Sequence, residues 1–314
     1  MKKIVFALLG VLFATKIAAQ ESQTTYNFLR LPVSAHVSAL GGDNITIIED
    51  DPTLIFHNAA LIGGVSDKSI NLNYMTYMEG THTASASFIK AAGERTTWGV
   101  MAQLMDYGDI IETSIDGSRL GKVSAKDVMV GAALQYNLSN VWSGAVTAKF
   151  ISSSLAGYNS AAVAVDLGLN YCSEDASWSV SAVARNLGGQ VKAYNDEYER
   201  IPLDVQLGVS KQLGNAPLRL SATMTRLNNW EGSFGHHFAV GADVFLGQIA
   251  YLAAGYNFRR ADEMKISESD GSSAHGAGLS VGAGLTLQRF KLNLAYAKYH
   301  VSAASLLINV TYSL

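Results

Sequence analysis

The chain has 314 residues, a formal net charge of −3, 48% hydrophobic and 16% charged residues, and one cysteine. So low a charged fraction, against the usual ~25%, is unlike an ordinary water-soluble surface, and the mild acidity argues against nucleic acid as a partner. Cys172 alone cannot form an intramolecular disulfide and lies too far from the N-terminus for lipoprotein lipidation, so it reads as small filler.

Residues 1–19 read as an export signal, with Lys2 and Lys3 as the charged region, Ile4 to Phe13 as the apolar core, and Ile17-Ala18-Ala19 before the cleavage point at Gln20. The stretch is too short to span a bilayer as a helix. No later segment holds twenty uninterrupted apolar residues, so any membrane span has to be a strand. Loss of Lys2, Lys3 and Lys16 takes the charge from −3 to −6.

Residues 20–65 differ from the rest. Pro32 to Leu40 predicts a short helix closed by Gly41-Gly42. Asp50-Asp51-Pro52 predicts a cap with proline in the first turn, opening a second short helix through Phe56 and Leu61 to Gly63-Gly64. About forty-five residues cannot bury a core of their own, so the segment is expected to sit in the mouth of a larger body as a plug.

From about Asp67 onward one unit repeats: roughly ten residues of apolar and small-polar alternation, then a turn. Strands are expected near 69–78, 82–90, 96–106, 126–138, 142–152, 160–172, 177–187, 202–213, 217–226, 236–246, 249–258, 276–288, 290–299 and 304–314, which is fourteen. One face is apolar and the other mostly Gly, Ala, Ser, Thr and Asn, the pattern of lipid outside and a polar lumen inside. The connections alternate: 139–141, 173–175, 214–216, 247–248 and the break at Arg289 are tight, whereas 107–125, 188–201, 227–235 and 259–275 are long and polar. Short periplasmic turns and long external loops give that rhythm. Tyr74, Trp98, Tyr136, Trp142, Tyr171, Trp178, Tyr256, Phe258, Phe290, Tyr296 and Tyr312 fall near strand ends, as interfacial girdles require. The expected fold is therefore all-β: a 14-stranded antiparallel outer-membrane β-barrel over 66–314, with both termini periplasmic and a short helical plug.

The inward face carries Asp127, Asp166, Asp204 and Asp243 against Lys149, Arg185, Arg219 and Lys291. A balanced set points to internal ion pairs in a filled lumen rather than an open pore. Gly276, Gly278, Ser280, Gly282 and Gly284 leave room on one strand for something to pack inside, and 20–65 is the candidate.

The plug also carries a recognisable motif. Tyr26-Asn27-Phe28-Leu29-Arg30-Leu31-Pro32-Val33-Ser34-Ala35, Ala39-Leu40-Gly41-Gly42, Glu49-Asp50-Asp51-Pro52 and Phe56-His57-Asn58-Ala59-Ala60-Leu61 resemble the N-terminal signature of the PorV/PorQ family of type IX secretion outer-membrane proteins, related more distantly to FadL-like barrels. Where related barrels read Asn-Pro-Ala, Asn58 is followed here by Ala59. The resemblance implies a fourteen-stranded barrel with an N-terminal plug. It also implies a role as anchor for a PorZ-like surface protein, beside PorU and PorV, in a complex that joins exported cargo to anionic lipopolysaccharide.

Catalytic motifs fail on geometry. Gly278-Leu279-Ser280-Val281-Gly282 matches a nucleophile elbow, which needs a sharp strand-to-helix turn, but Ser280 is expected mid-strand. Ser87 and Lys90 match a serine–lysine spacing, but an odd separation in a strand sends them to opposite faces. His236-His237 lacks metal-ligand spacing, and His300 with Ser302 lacks a third member. The chain reads as a non-enzyme without a cofactor. Its best functional candidates are loop residues suited to protein recognition: Tyr194, Asp196, Glu197, Tyr198 and Arg200; Trp230 and Phe234; Arg259 and Arg260. The expected function is a surface-protein anchor. The rivals are a FadL-like transporter of hydrophobic small molecules, with 20–65 as a removable hatch, and a passive diffusion pore.

Overall fold

The computed structural model describes residues 24–314 except 79, 117, 231–232, 265, 269–270 and 274–275; the expected export signal lies outside the described residues. Fourteen antiparallel strands close on themselves: β1 Ser69–Thr76, β2 His82–Ala91, β3 Thr96–Thr113, β4 Arg119–Asn137, β5 Trp142–Leu155, β6 Tyr158–Cys172 and β7 Trp178–Lys192. They are followed by β8 Asp204–Gln212, β9 Leu218–Met224, β10 Phe238–Leu246, β11 Ala250–Asn257, β12 Leu279–Leu287, β13 Phe290–His300 and β14 Ala303–Ser313. Closure is by β1 on β14, in register from Ser69↔Ser313 to Met75↔Leu307. A closed ladder leaves no edge carbonyl or amide for lipid to meet.

The two-residue period decides which side chains face where. On β1, Ile70, Leu72 and Tyr74 point outward and are exposed, while Ser69, Asn71 and Asn73 point inward and are buried. The inward polar groups bond across strands: Asn71 donates to Thr311 at 2.6 Å and Asn73 to Ser85 at 2.9 Å. Aromatic pairs gather next to the short turns, with Trp142 on Tyr171 at 5.1 Å and Phe290 on Tyr312 at 4.8 Å, and at the opposite end Tyr256 meets Phe258 at 5.0 Å. Rings in two belts match headgroup depth on both sides of a bilayer.

Two expectations about connections are corrected. Residues 107–125 are not a loop: β3 runs on to Thr113 and β4 begins at Arg119, paired from Asp109↔Ser124 onward. That hairpin rises above the rim, where both faces are wet and alternation disappears. The stretch 188–201 likewise begins as strand, since β7 continues to Lys192. The β7–β8 ladder stops at Arg185↔Asp204, so residues 186–192 have β6 but not β8 beside them. There a bulge sets Arg185 and Asn186 opposite Asp166, with Asn186 at φ +59° and its N–H donating to Asp166 at 2.7 Å. A bulge re-aims side chains, and here it turns both Arg185 and Asn186 inward.

Residues 24–65 lie inside the cylinder. A 3₁₀ turn at Asn27–Arg30 leads to α1, Ala35–Ala39, capped by Ser34 and ended by Gly41 and Gly42 at φ +101° and +97°. Asp51 caps the next 3₁₀ turn, Pro52–Phe56, by accepting from Thr53 N at 2.9 Å. The helix expected to continue to Gly63 breaks at His57, and Asn58 caps a separate turn, Ala59–Gly64. The apolar core forms where this segment meets inward apolar strand residues: Phe28 and Ile55 with Ile89, Met101, Met129 and Ile151, and Val37, Leu40, Ile47 and Leu54 with Leu307.

Candidate functional site

The segment is fastened to the wall by buried polar contacts. Asn309 of β14 donates to Val33 O at 3.1 Å, and its side-chain oxygen accepts from Ala35 N. Lys291 of β13 pairs with the Asp50 carboxylate and donates to its carbonyl at 2.5 Å. Arg219 of β9 donates to Asp243 of β10 at 2.8 Å and to Glu49 at 2.5 Å. His36 closes the ring, with Nδ1 2.8 Å from Glu49 and Nε2 2.6 Å from Asp243, its imidazole stacked on Tyr251 at 3.8 Å. Only a doubly protonated imidazole donates to both carboxylates.

Burial by itself lowers the His36 pKa, but the Glu49 and Asp243 carboxylates outweigh it and push the pKa up to about 9. Burial likewise raises Glu49, yet His36 and Arg219 hold it down at about 2. His57 is the contrast: its Nε2 accepts from Val33 N and Ser34 N, and burial with Arg185 and Lys149 keeps its pKa well below the usual value. One histidine is a buried cation and the other a neutral acceptor.

Of the eight inward charges expected to balance one another, only Lys149–Asp166 and Arg219–Asp243 pair among themselves. Asp127 is held by the Tyr107 hydroxyl at 2.7 Å and by Ser153. Asp204 accepts from Gln206 at 2.6 Å and Arg226 N at 2.7 Å. Arg185 donates to Leu29 O at 3.2 Å. The missing partners are Glu49, Asp50 and His36 on the N-terminal segment, expected as part of a motif, a cap and a short helix rather than as lumen charges. The Arg219–Asp243 pair was available from registering the two strands, since those residues face each other across the ladder.

At the long-loop end, Asp196, Glu197, Tyr198 and Arg200 are exposed, whereas Tyr194 turns back to Ser153. Trp230 and Phe234 are 57% and 64% exposed and lie ring to ring at 6.2 Å. Arg259 and Arg260 depart from the expected surface role. Both are buried at the start of a short helix, α2, Phe258–Glu263, and Arg260 donates to Ala277 O at 2.7 Å, Gly278 O at 2.9 Å and Ser280 Oγ at 2.5 Å. Guanidinium groups here satisfy backbone carbonyls freed where the ladder ends.

The remaining motifs stay structural. Ser280 lies in β12 under Arg260, Ser87 is buried while Lys90 is exposed, and His300 contacts Ser302 at 2.7 Å within the β13–β14 turn. His236 meets Asp262 at 2.7 Å, a carboxylate that sequence reading did not place beside it. Among the described residues no group of three His, Cys, Asp or Glu converges as a metal site.

The concavities divide by charge, those inside carrying ionisable side chains such as Arg95, Arg185 and Arg219. Below the segment, at the short-turn end, a cavity of about 430 Å³ is lined by Glu94, Arg95, Gln135, Asn137, Asn140 and Asn170 among others. At the long-loop end a cavity of about 140 Å³ is lined by Arg30, Arg185, Arg226, Arg259 and Arg260, with Asp43, Asp204 and Glu263 as its carboxylates. The apolar depression, formed by Ile70, Ala86, Phe88, Val100, Ala102, Val130 and Phe150, lies on the outer wall.

No protein-family model and no curated protein matches the chain. Solved structures do. The Pseudomonas putida toluene transporter TodX aligns with a TM-score of 0.59 at 10% identity, over 91% of this chain and 99% of its own. The CymD monoaromatic hydrocarbon channel aligns at 0.59 and 12%, over 91% and 98%. A Pseudomonas aeruginosa FadL homologue aligns at 0.52 and 11%, over 89% and 98%. The fold is that of a FadL-like outer-membrane barrel. Within it, the N-terminal segment and the wall are joined by buried ion pairs.

Proposed function

We propose that this FadL-like barrel is a non-enzymatic outer-membrane anchor that works through its long-loop end, with the short turns and both termini on the periplasmic side. The observation that carries the reading is the interior: residues 24–65 occupy the lumen and are fastened by ion pairs to β9, β10 and β13, so the barrel acts at its surface rather than through its axis. The N-terminal motif, similar to that of the PorV/PorQ family, supplies the finer reading: type IX secretion, with a PorZ-like surface protein held beside PorU and PorV where cargo is joined to lipopolysaccharide. Tyr198, Arg200, Trp230 and Phe234 offer exposed aromatic and arginine groups for such a partner. Affinity isolation from native membranes, with and without residues 192–199 or 229–234, tests it. Loss of a co-purifying surface protein on either deletion is expected, and undiminished recovery from both would defeat the reading.

A FadL-like transporter of hydrophobic small molecules is the second reading, and the solved structures weigh on its side through TodX and CymD. So does the end of the β7–β8 ladder at Arg185, a place for lateral passage if the segment moves as a hatch. The charged side chains in the interior cavities, such as Arg95, Arg185 and Arg219, weigh against an apolar path. Uptake of a monoaromatic hydrocarbon that depends on this protein would decide for transport.

A further inference from the structure

We propose that the arginine-lined cavity at the long-loop end binds a phosphate-type oxyanion, either free or carried on a lipid headgroup. Arg185 and Arg260 carry the inference. They are 8% and 6% exposed, and among the described residues neither has a carboxylate within ion-pair distance. Arg185 spends one nitrogen on Leu29 O and its buried Nε has no partner; Arg260 spends two nitrogens on carbonyls and Ser280, and its buried Nη1 has none. A buried donor left without an acceptor is costly, and guanidinium donors are shaped to hold an oxyanion.

The rest of the lining agrees. Arg30, Arg226 and Arg259 line the same cavity, with Asp43, Asp204 and Glu263 as carboxylates among the described residues. Glu263 lies 3.7 Å from Arg226 and 3.5 Å from Arg259. Burial raises the Asp43 carboxyl above its usual pKa against the pull of Arg185, Arg226 and Arg260, and its side chain accepts from Asn257 at 2.9 Å. The volume selects the ligand: about 140 Å³ is far below the roughly 300–1,000 Å³ of pockets that take drug-sized molecules, so only a small anion or the head of a larger one fits.

The inference does not depend on the choice between anchor and transporter. Calorimetric titration of the detergent-solubilised full chain with inorganic phosphate tests it, alongside micelles of lipopolysaccharide and of enzymatically dephosphorylated lipopolysaccharide. Saturable phosphate binding is expected, weakened about tenfold or more by Arg185→Gln and tightened severalfold by Glu263→Gln. Glu263 is half exposed, so the second variant keeps the test informative even where the first fails to form a barrel. Binding of phosphorylated lipopolysaccharide alone identifies a lipid-borne phosphate as the ligand, and binding of free phosphate identifies a soluble one. Absence of binding in both arms, or affinities unchanged by both substitutions, overturns the proposal.

Discussion

His36 shows how one side chain joins two parts of the chain far apart in sequence. Its two nitrogens face Glu49, on its own segment, and Asp243, on the wall, while Arg219 faces the same two carboxylates and Tyr251 covers the ring. Its pKa is raised from 6.5 to about 9, so its contribution is full below about 6.5 and is lost as pH rises through about 9. The Glu49 pKa is lowered from 4.5 to about 2, so its contribution is full above about 4.5 and is lost as pH falls through about 2. The segment is therefore held most firmly between about pH 4.5 and 6.5. Hydrogen exchange over residues 35–49, corrected for the intrinsic rate, should be slowest in that window and rise on both sides. His36→Gln should abolish the alkaline dependence; a profile unchanged by it would refute the role of this histidine. Arg219→Met should destabilise the packed state by about 3–5 kcal/mol, because it leaves two buried carboxylates with only His36 between them.

At the level of elements, α1 approaches the wall so closely that glycine is required beneath it. A Cβ on Gly241 would lie 2.6 Å from Leu40 Cδ2, one on Gly282 2.6 Å from the Ala39 Cβ, and one on Gly255 would meet the Leu40 and Gly41 backbone. Backbone cannot yield as a flexible side chain can, so Gly255→Val should displace α1 while the ladders, whose backbone pairing of residue 255 with Gly241 and Ser280 needs no particular side chain, still close. Protease cleavage within 24–65 together with retained heat-modifiable gel migration is the expected result; Gly121→Val, which meets nothing within 4 Å, is the control. These elements were unequally legible in the sequence. The strands could be read because lipid and lumen impose opposite chemistry on alternate residues, and Gly282 signalled room inside because it stood in a row of small residues. The 107–125 hairpin could not, because above the rim neither face is buried. Nor could the partners of Arg219 and Lys291, since Glu49 and Asp50 lie 170 and 241 residues away and no local period links them. The burial of Arg259 and Arg260 followed from carbonyls left open by the ladder's end, a feature with no sequence signal.

For the whole molecule, the decisive property is that ring and filling are separable. The hydrogen-bonded cylinder closes through β1 and β14 without any residue before Ser69, so its integrity rests on its own ladders. The filling contributes Phe28, Val37, Leu40, Ile47, Leu54 and Ile55 to the core and three charged groups, His36, Glu49 and Asp50, to the wall's ion pairs. Removing residues 24–65 would leave Lys149, Arg219, Asp243 and Lys291 pointing into an empty polar bore, where water can solvate them. The intact protein is therefore expected to be electrically silent in planar bilayers, and the truncated one to conduct in discrete steps. A hatch that moves spontaneously would give the intact protein intermittent openings of the same unit size, more frequent above about pH 9, where His36 loses its charge. Steady conductance of equal size from both forms would mean that the segment does not fill the lumen, and the anchor reading would fall with it.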